Sequence, residues 1–370
     1  MTVRLDSILI ISFVEKIGEG GGDIQMRNLK TFWQMNGILV NTSNIISVNS
    51  FTFLQIFKAT LKSLTMKLNN LNEIEKYDII LAKSPYPPDL IMVYRLSKRY
   101  KKPRAVYFYH ISPGLLFHPF RRGIFRVILN ELYSIAALSI IRRTSIPIFL
   151  DNPKTNKNPN VITYPLPLAL EKMAILKQSL SLVQKEFDMC YIGRIEKKKG
   201  VEDILQVTHI LKEKFKVNTR TILVGKGKSR YVKKIKKMIV KYGLSKNIVV
   251  KGYVSESEKF EILRNSKIFI FLSYEEGWSL SVMEAASIGI PILAYELPAY
   301  YYLRENYFGV KPSSILECAE MIVRIMNNYE KAKETGEIAK KIVDKFSYKF
   351  ISNQQLSFFG KIITDYYGSN

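Results

Sequence analysis

Apolar runs of six or seven residues alternate with longer amphipathic stretches along nearly the whole chain. SILIISF (7–13), GILVNT (37–42), YDIILAK (77–83), RAVYFYH (104–110) and IPIFLD (146–151) predict one series of strands. DMCYIGR (188–194), TRTILVG (219–225), NIVVKGY (247–253), KIFIFLS (267–273) and IPILAYE (290–296) predict a second. Continuous β-branched runs separated by helical patterns such as DIQMRNLKTFWQMNG and SRYVKKIKKMIVKYG belong to parallel sheets covered on both faces. Between the two series lies DNPKTNKNPNVITYPLPLALEK, whose proline, asparagine and lysine content is linker chemistry. The expected class is therefore α/β, with two doubly wound domains over residues 1–170 and 171–345 and a final helical segment over 346–370.

Composition changes this picture little. A chain of 370 residues, 47% hydrophobic, is long enough for two cores. Cys190 and Cys318 are too few for a disulfide framework, no Cys/His cluster has zinc spacing, and a reduced intracellular compartment is expected. The start, MTVRLDSILIISFVEK, lacks the features of a signal peptide, and its apolar run is too short to span a bilayer, so it reads as a first strand. The net charge of +24 suits nucleic acid, an anionic membrane surface, phosphorylated substrates or merely a lysine-rich solvated surface. Nucleic acid is disfavoured, because no helix-turn-helix, zinc-finger or base-stacking pattern accompanies the charge.

In doubly wound sheets, ligands bind beyond the carboxyl ends of the strands. Four such turns in the second half carry suitable residues. In YIGRIEKKKGVEDIL, Gly193 lets the chain turn, and Arg194 and Lys199 offer a planar fork and a point charge to a diphosphate. In LVGKGKSR, Gly225 and Gly227 permit a close backbone approach to a ligand. VKGYVSESEKFEIL ends a strand and caps a helix with Ser255 or Ser257. In SYEEGWSLSVMEA a helix begins near Ser279, so the amides of Trp278, Ser279 and Leu280 are free to meet an anionic oxygen. Glu276 precedes that helix and can accept from hydroxyls. Glu284 lies within it among Val282, Met283, Ala285 and Ala286, where a carboxylate needs donors such as a vicinal diol. Plainer readings stand beside these: a simple turn for Gly-Lys-Gly, a solvated run for EKKKG, a lysine partner for Glu284. Two acids eight positions apart also suit glycoside hydrolysis, but the neighbouring phosphate-type loops argue against it.

EEGWSLSVMEAASIGIPILA, preceded in order by GRIEKKKG, VGKG and KGYVSE, resembles the signature of family-4 type retaining glycosyltransferases of GT-B fold (glycosyl transferases group 1). The likeness covers residues 188 to 300 and extends loosely to GEGGGDIQMRNLKTFWQMNG. It implies two Rossmann-like domains facing across a cleft, the last helix returning to the first domain, and no cofactor beyond a UDP- or GDP-linked sugar donor. Arg194 and Lys199 would hold the donor diphosphate, Glu284 the ribose hydroxyls and Glu276 the sugar. Gly277, Trp278, Ser279 and Leu280 would offer amides, and Gly225, Gly227 and the loop of Tyr253 would lie along the nucleotide. Ser279 stands where the family often has a second glycine.

The resemblance also implies that His110, ending RAVYFYH, sits near the reacting sugar, with His118 as its competitor and His209 a packing or surface residue. Gly20, Gly21 and Gly22 would approach the donor phosphate or the acceptor. No Asp-x-Asp motif occurs, so a metal-clamped diphosphate is not expected, and the resemblance implies metal-independent hexose transfer with retention. GLLFHPFRRGIFRVILNELYSIAALSIIRR (114–143) and YRLSKRYKKPR (94–104) combine aromatics, basic residues and apolar stretches. They suggest a cytoplasmic protein, peripheral on the cytoplasmic membrane face, with a lipid-linked or glycan acceptor. The other reading of 114–143 is a core helix with basic ends. Rival functions on this chain are a non-catalytic nucleotide-sugar sensor, an epimerase, a nucleic-acid binder and a glycosyltransferase acting on DNA.

Overall fold

The computed structural model describes residues 5–13, 21–43, 53–68, 72–108, 124–144, 146–150, 163–165, 185–276 and 279–368. Through the first part of the chain run β1 (Ser7–Ile11), α1 (Gly21–Met35), β2 (Leu39–Ser43), α2 (Phe53–Thr65), β3 (Ile79–Ala82), α3 (Pro87–Tyr100), β4 (Arg104–Phe108), α4 (Ile124–Thr144), β5 (Ile148–Leu150) and β6 (Thr163–Pro165). There follow β7 (Phe187–Ile192), α5 (Val201–Glu213), β8 (Thr221–Val224), α6 (Ser229–Lys241), β9 (Ile248–Lys251), α7 (Glu256–Arg264), β10 (Ser266–Phe271), α8 (Leu280–Ile288) and β11 (Ile292–Tyr295). The chain ends with β12 (Phe308–Val310), α9 (Ile315–Asn327), α10 (Tyr329–Val343) and α11 (Tyr348–Gly368).

Two compact units result: Met1–Ala169 with Tyr348–Asn370, and Leu170–Ser347. Each holds one six-stranded parallel sheet, ordered β2-β1-β3-β4-β5-β6 in the first and β12-β11-β10-β7-β8-β9 in the second. The second order is that of dinucleotide-binding folds. All ten expected strands form. β6 and β12 were not legible, because each has three residues, one ending in proline and the other centred on glycine.

Strand alternation divides the first core. Leu9, Ile11, Ile80, Ala82 and Val106 face Ile56 and Ala59 of α2, Leu90, Val93 and Leu96 of α3, and Ala137 and Ile141 of α4. Ile8, Ile10, Ile79, Leu81 and Tyr107 face Met26, Leu29 and Trp33 of α1 and Phe359, Ile362 and Ile363 of α11. Trp33 stacks on Tyr107 at 6.2 Å and meets Phe359 edge-on at 5.5 Å. The later part of α4 is thus a core helix, while residues 114–123 of the basic-aromatic stretch lie outside the described residues. Among the described residues, no helix is long and apolar enough to cross a membrane.

Candidate active site

Each sheet reverses its strand order once, between β1 and β3 in the first unit and between β7 and β10 in the second. Ligand crevices in open α/β sheets form beyond the strand ends at such a reversal. In the second unit the loops concerned are those after β7 and β10, which carry Arg194, Lys199 and Glu276.

Lys199 ends a short 3₁₀ turn, Lys197–Lys199, which Gly200 closes at φ 67°. A Cβ on Gly200 would lie 1.8 Å from the Leu272 carbonyl oxygen, so only glycine lets this loop press on the end of β10. Tyr274 N donates to Lys198 O at 2.9 Å, binding the two loops together. Lys199 Nζ thereby sits 2.5 Å from Glu276 Oε1, with the side chains 11% and 9% exposed. The ammonium also lies 5.8 Å from the centre of the Phe271 ring, on which Tyr191 stacks. Burial pushes the hydroxyls of Tyr191, Tyr300 and Tyr302 well above their ordinary range, and the Glu276 carboxylate adds to the effect. These phenols remain neutral near the acid.

Two residues without a sequence signal hold the Glu276 loop. Asp203, buried in the first turn of α5, accepts from Tyr274 Oη and, at 2.7 Å, from Tyr295 Oη. Tyr274 lies two residues before Glu276, so this buried carboxylate fixes the loop's exit from β10.

The glycines of LVGKG serve a contact that the sequence did not reveal. Gly225 has φ 143°, and a Cβ there would fall 1.8 Å from the Gly193 carbonyl oxygen. One on Gly227 would fall 2.4 Å from Ile195 O. Ile195 N donates to Lys226 O at 2.8 Å, so the loops after β7 and β8 run side by side beyond the sheet. The close approach seen is between two loops of the protein itself. Arg194 reaches solvent, its guanidinium 3.1 Å from Glu196. Tyr253 is exposed, with Lys226 Nζ 4.6 Å from its ring centre.

Helix α8 begins at Leu280, and Ser279 caps it, its Oγ accepting from Val282 N at 3.4 Å. Ser279 adopts φ 53°, a left-handed conformation in which glycine is at ease. Gly277 and Trp278 lie outside the described residues. Ser255, not Ser257, caps α7, accepting from Glu258 N at 3.2 Å. Glu284 points from α8 to Lys259 of α7, with Nζ 2.8 Å from Oε1 and exposures of 16% and 11%. Burial pushes the Glu284 carboxyl above its ordinary range, and Lys259 opposes the shift. Burial works against the Lys259 ammonium, yet Glu284 and Glu256 overcome it and hold its pKa above the usual lysine value. The lysine partner held open for Glu284 by the sequence is therefore present. Lys259 itself was missed, because three residues after Glu256 it reads as an ordinary helix-surface pair.

In the first unit, Gly21 and Gly22 open α1, whereas Gly20, His110 and His118 lie outside the described residues. His209 is a packing residue, stacked on Tyr242 at 5.0 Å. The loops flanking this sheet's reversal are tied by Asp89, whose Oδ1 accepts from Phe13 N at 2.7 Å and Oδ2 from Ser84 Oγ at 2.6 Å.

Residues 173–342 match the profile of Glycosyl transferases group 1. An uncharacterized glycosyltransferase of Methanocaldococcus jannaschii is 25% identical over 313 residues, 80% of this chain and 77% of the relative. The alpha-galactosylglucosyldiacylglycerol synthase of Streptococcus pneumoniae is 26% identical over 246 residues, 64% of this chain and 60% of its own length. The crystal structure of Anabaena HepE in complex with UDP and glucose superposes with a TM-score of 0.70 at 16% identity, over 97% of this chain and 100% of that one. Residues 173–342, within the second unit, thus carry the glycosyl transferases group 1 profile, and the fold of the chain is that of the GT-B glycosyltransferases.

Proposed function

We propose that the protein transfers a hexose from a nucleotide sugar to a lipid-linked or glycan acceptor, with retained anomeric configuration and without a metal. The observation that carries this reading is the meeting of Lys199 and Glu276 at the sheet reversal of a group 1 unit. In it Arg194 and Lys199 hold the donor diphosphate, Glu284 the ribose diol and Glu276 the hexose. Ser279 and Leu280, with Gly277 and Trp278, offer amides at the start of α8. Gly225, Gly227 and Tyr253 border the nucleotide, and His110, Gly20 and the first residues of α1, Gly21 and Gly22, serve the reacting sugar and acceptor. The C1–O bond to the diphosphate breaks while the acceptor oxygen bonds to C1, and the acceptor's proton leaves with the diphosphate. Cationic side chains and a helix N-terminus at the departing oxygens do the work that a metal does elsewhere. UDP in HepE and the glycolipid named in the pneumococcal relative favour a UDP-linked donor and a lipid-linked acceptor.

The test is incubation with UDP- and GDP-hexoses and a membrane lipid extract, with and without a chelator, the product's anomeric configuration being read by NMR. A retained glycoside formed equally in chelator is expected. An inverted product, dependence on metal, or donor consumption without any glycoside contradicts the reading.

A further inference from the structure

Tyr300 ends the 3₁₀ turn Pro298–Tyr300 that follows β11, the strand beside β10. Tyr274, beyond the end of β10, and Tyr295, the last residue of β11, meet edge-on at 5.2 Å, which brings the two strand ends together. Tyr300 N donates to Leu297 O at 3.0 Å, and Leu303 N donates to Tyr300 O at 2.9 Å. The Tyr300 ring packs edge-on against Tyr307 at 5.7 Å, and the residue is 1% exposed. Backbone and ring are both held, yet Tyr300 Oη has no hydrogen-bond partner among the described residues. A buried hydroxyl left unpaired costs its lost hydration, so folding does not explain this one. Thr219 and Thr221 also have unpaired hydroxyls, but at the amino end of β8, whereas Tyr300 lies within the influence of Glu276 and Ser279. Ser279 Oγ, which accepts from Val282 N at the start of α8, is close to the phenol but does not meet it in hydrogen-bond geometry. Burial, reinforced by the Glu276 carboxylate, keeps the phenol protonated and therefore a donor.

We propose that Tyr300 determines which sugar is accepted, its hydroxyl donating to the same sugar hydroxyl whose proton Glu276 accepts. A carboxylate takes that proton and leaves the hydroxyl oxygen in need of a donor. A neutral phenol alongside supplies one, while the Lys199 ammonium is already paired with Glu276. Acceptor and donor together read one hydroxyl completely. A sugar that lacks it leaves both buried groups unpaired and is rejected. A phosphate oxygen would also accept from the phenol, but the charge acting on Tyr300 is that of Glu276, which repels an anion. The inference rests on the donor reading above.

The full chain and Tyr300→Phe are compared by titration calorimetry with UDP-glucose, UDP-galactose, GDP-mannose, UDP and GDP, and by thermal unfolding without ligand. The variant is expected to bind the parent's nucleotide sugar roughly fivefold or more weakly. It should bind the matching nucleoside diphosphate as the parent does, and melt no lower than the parent. Parent-like binding of the nucleotide sugar, or an equal loss with the diphosphate, overturns the inference and leaves the donor reading standing. So does a melting point several degrees below the parent's, which would show that the hydroxyl already has a partner within the protein. A parent that binds none of the nucleotide sugars overturns the donor reading, and this inference with it.

Discussion

Lys199 and Glu276 face each other at 2.5 Å where the second sheet reverses its strand order, each the counter-ion of the other and both nearly buried. The contact exists because Gly200 allows the loop after β7 to touch the strand end that launches Glu276. Removing one member leaves a charge in a site built for two, so Lys199→Met should cost about 3 kcal/mol of unfolding free energy. Lys199→Met/Glu276→Gln should recover most of that loss while remaining inactive. Denaturant unfolding of the three proteins checks this; a single variant as stable as the parent would deny the pair its structural role.

Lys259 is predicted to set the ionisation of Glu284. The carboxyl is already held above its ordinary range by burial, and Lys259 is what opposes that. Lys259→Met should therefore raise it further. A carboxyl with a raised pKa becomes an ion, able to accept from two hydroxyls, only at higher pH. Nucleotide affinity in the variant should fall at neutral pH and recover as pH rises, whereas Glu284→Gln should be weak throughout. Titration calorimetry across pH separates the two.

Ser279 carries φ 53° as a helix cap. Glycine removes the backbone strain and loses one long cap bond, so Ser279→Gly should change stability by less than about 1 kcal/mol. Ser279→Val adds β-branching to a left-handed residue and loses the cap, and should cost about 2 kcal/mol. Melting midpoints of the two variants test the order.

Asp89 makes the stability of the first unit depend on pH. Burial pushes its carboxyl up to about 7, outweighing its bonds from Ser84 and Phe13 and the nearby Lys83. In the unfolded chain it titrates near 4. The folded state therefore binds the extra proton between these values, and this group's contribution is complete below about pH 4 and lost as pH rises to about 7. Asp89→Asn can keep both hydrogen bonds without titrating. The stability of the parent relative to Asp89→Asn should fall by up to about 4 kcal/mol from pH 4 to 7. A pH-independent difference contradicts this.

Much of the scaffold was legible because parallel strands buried on both faces leave uninterrupted apolar runs, as in SKIFIFL before the Glu276 loop. Strands β6 and β12 leave no such run at three residues each. In the site, the residue types and their loops were readable, whereas their partners were not. Nothing local marks Asp203 as the anchor of Tyr274, seventy-one positions away, or Lys259 as buried against Glu284. The glycines of LVGKG showed that something comes close but not that it is the Gly193 backbone. Long-range partners become visible only once the sheet order sets loops side by side.

The most direct test of the donor site is the thermal shift of the parent and of Glu284→Ala with UDP-, GDP- and ADP-sugars. A ligand that binds only the native state raises its melting point by mass action. A rise with one nucleotide class, lost in Glu284→Ala, is the predicted result and names the base. No rise with any nucleotide sugar, or an equal rise in Glu284→Ala, would contradict the placement of the donor beside α8.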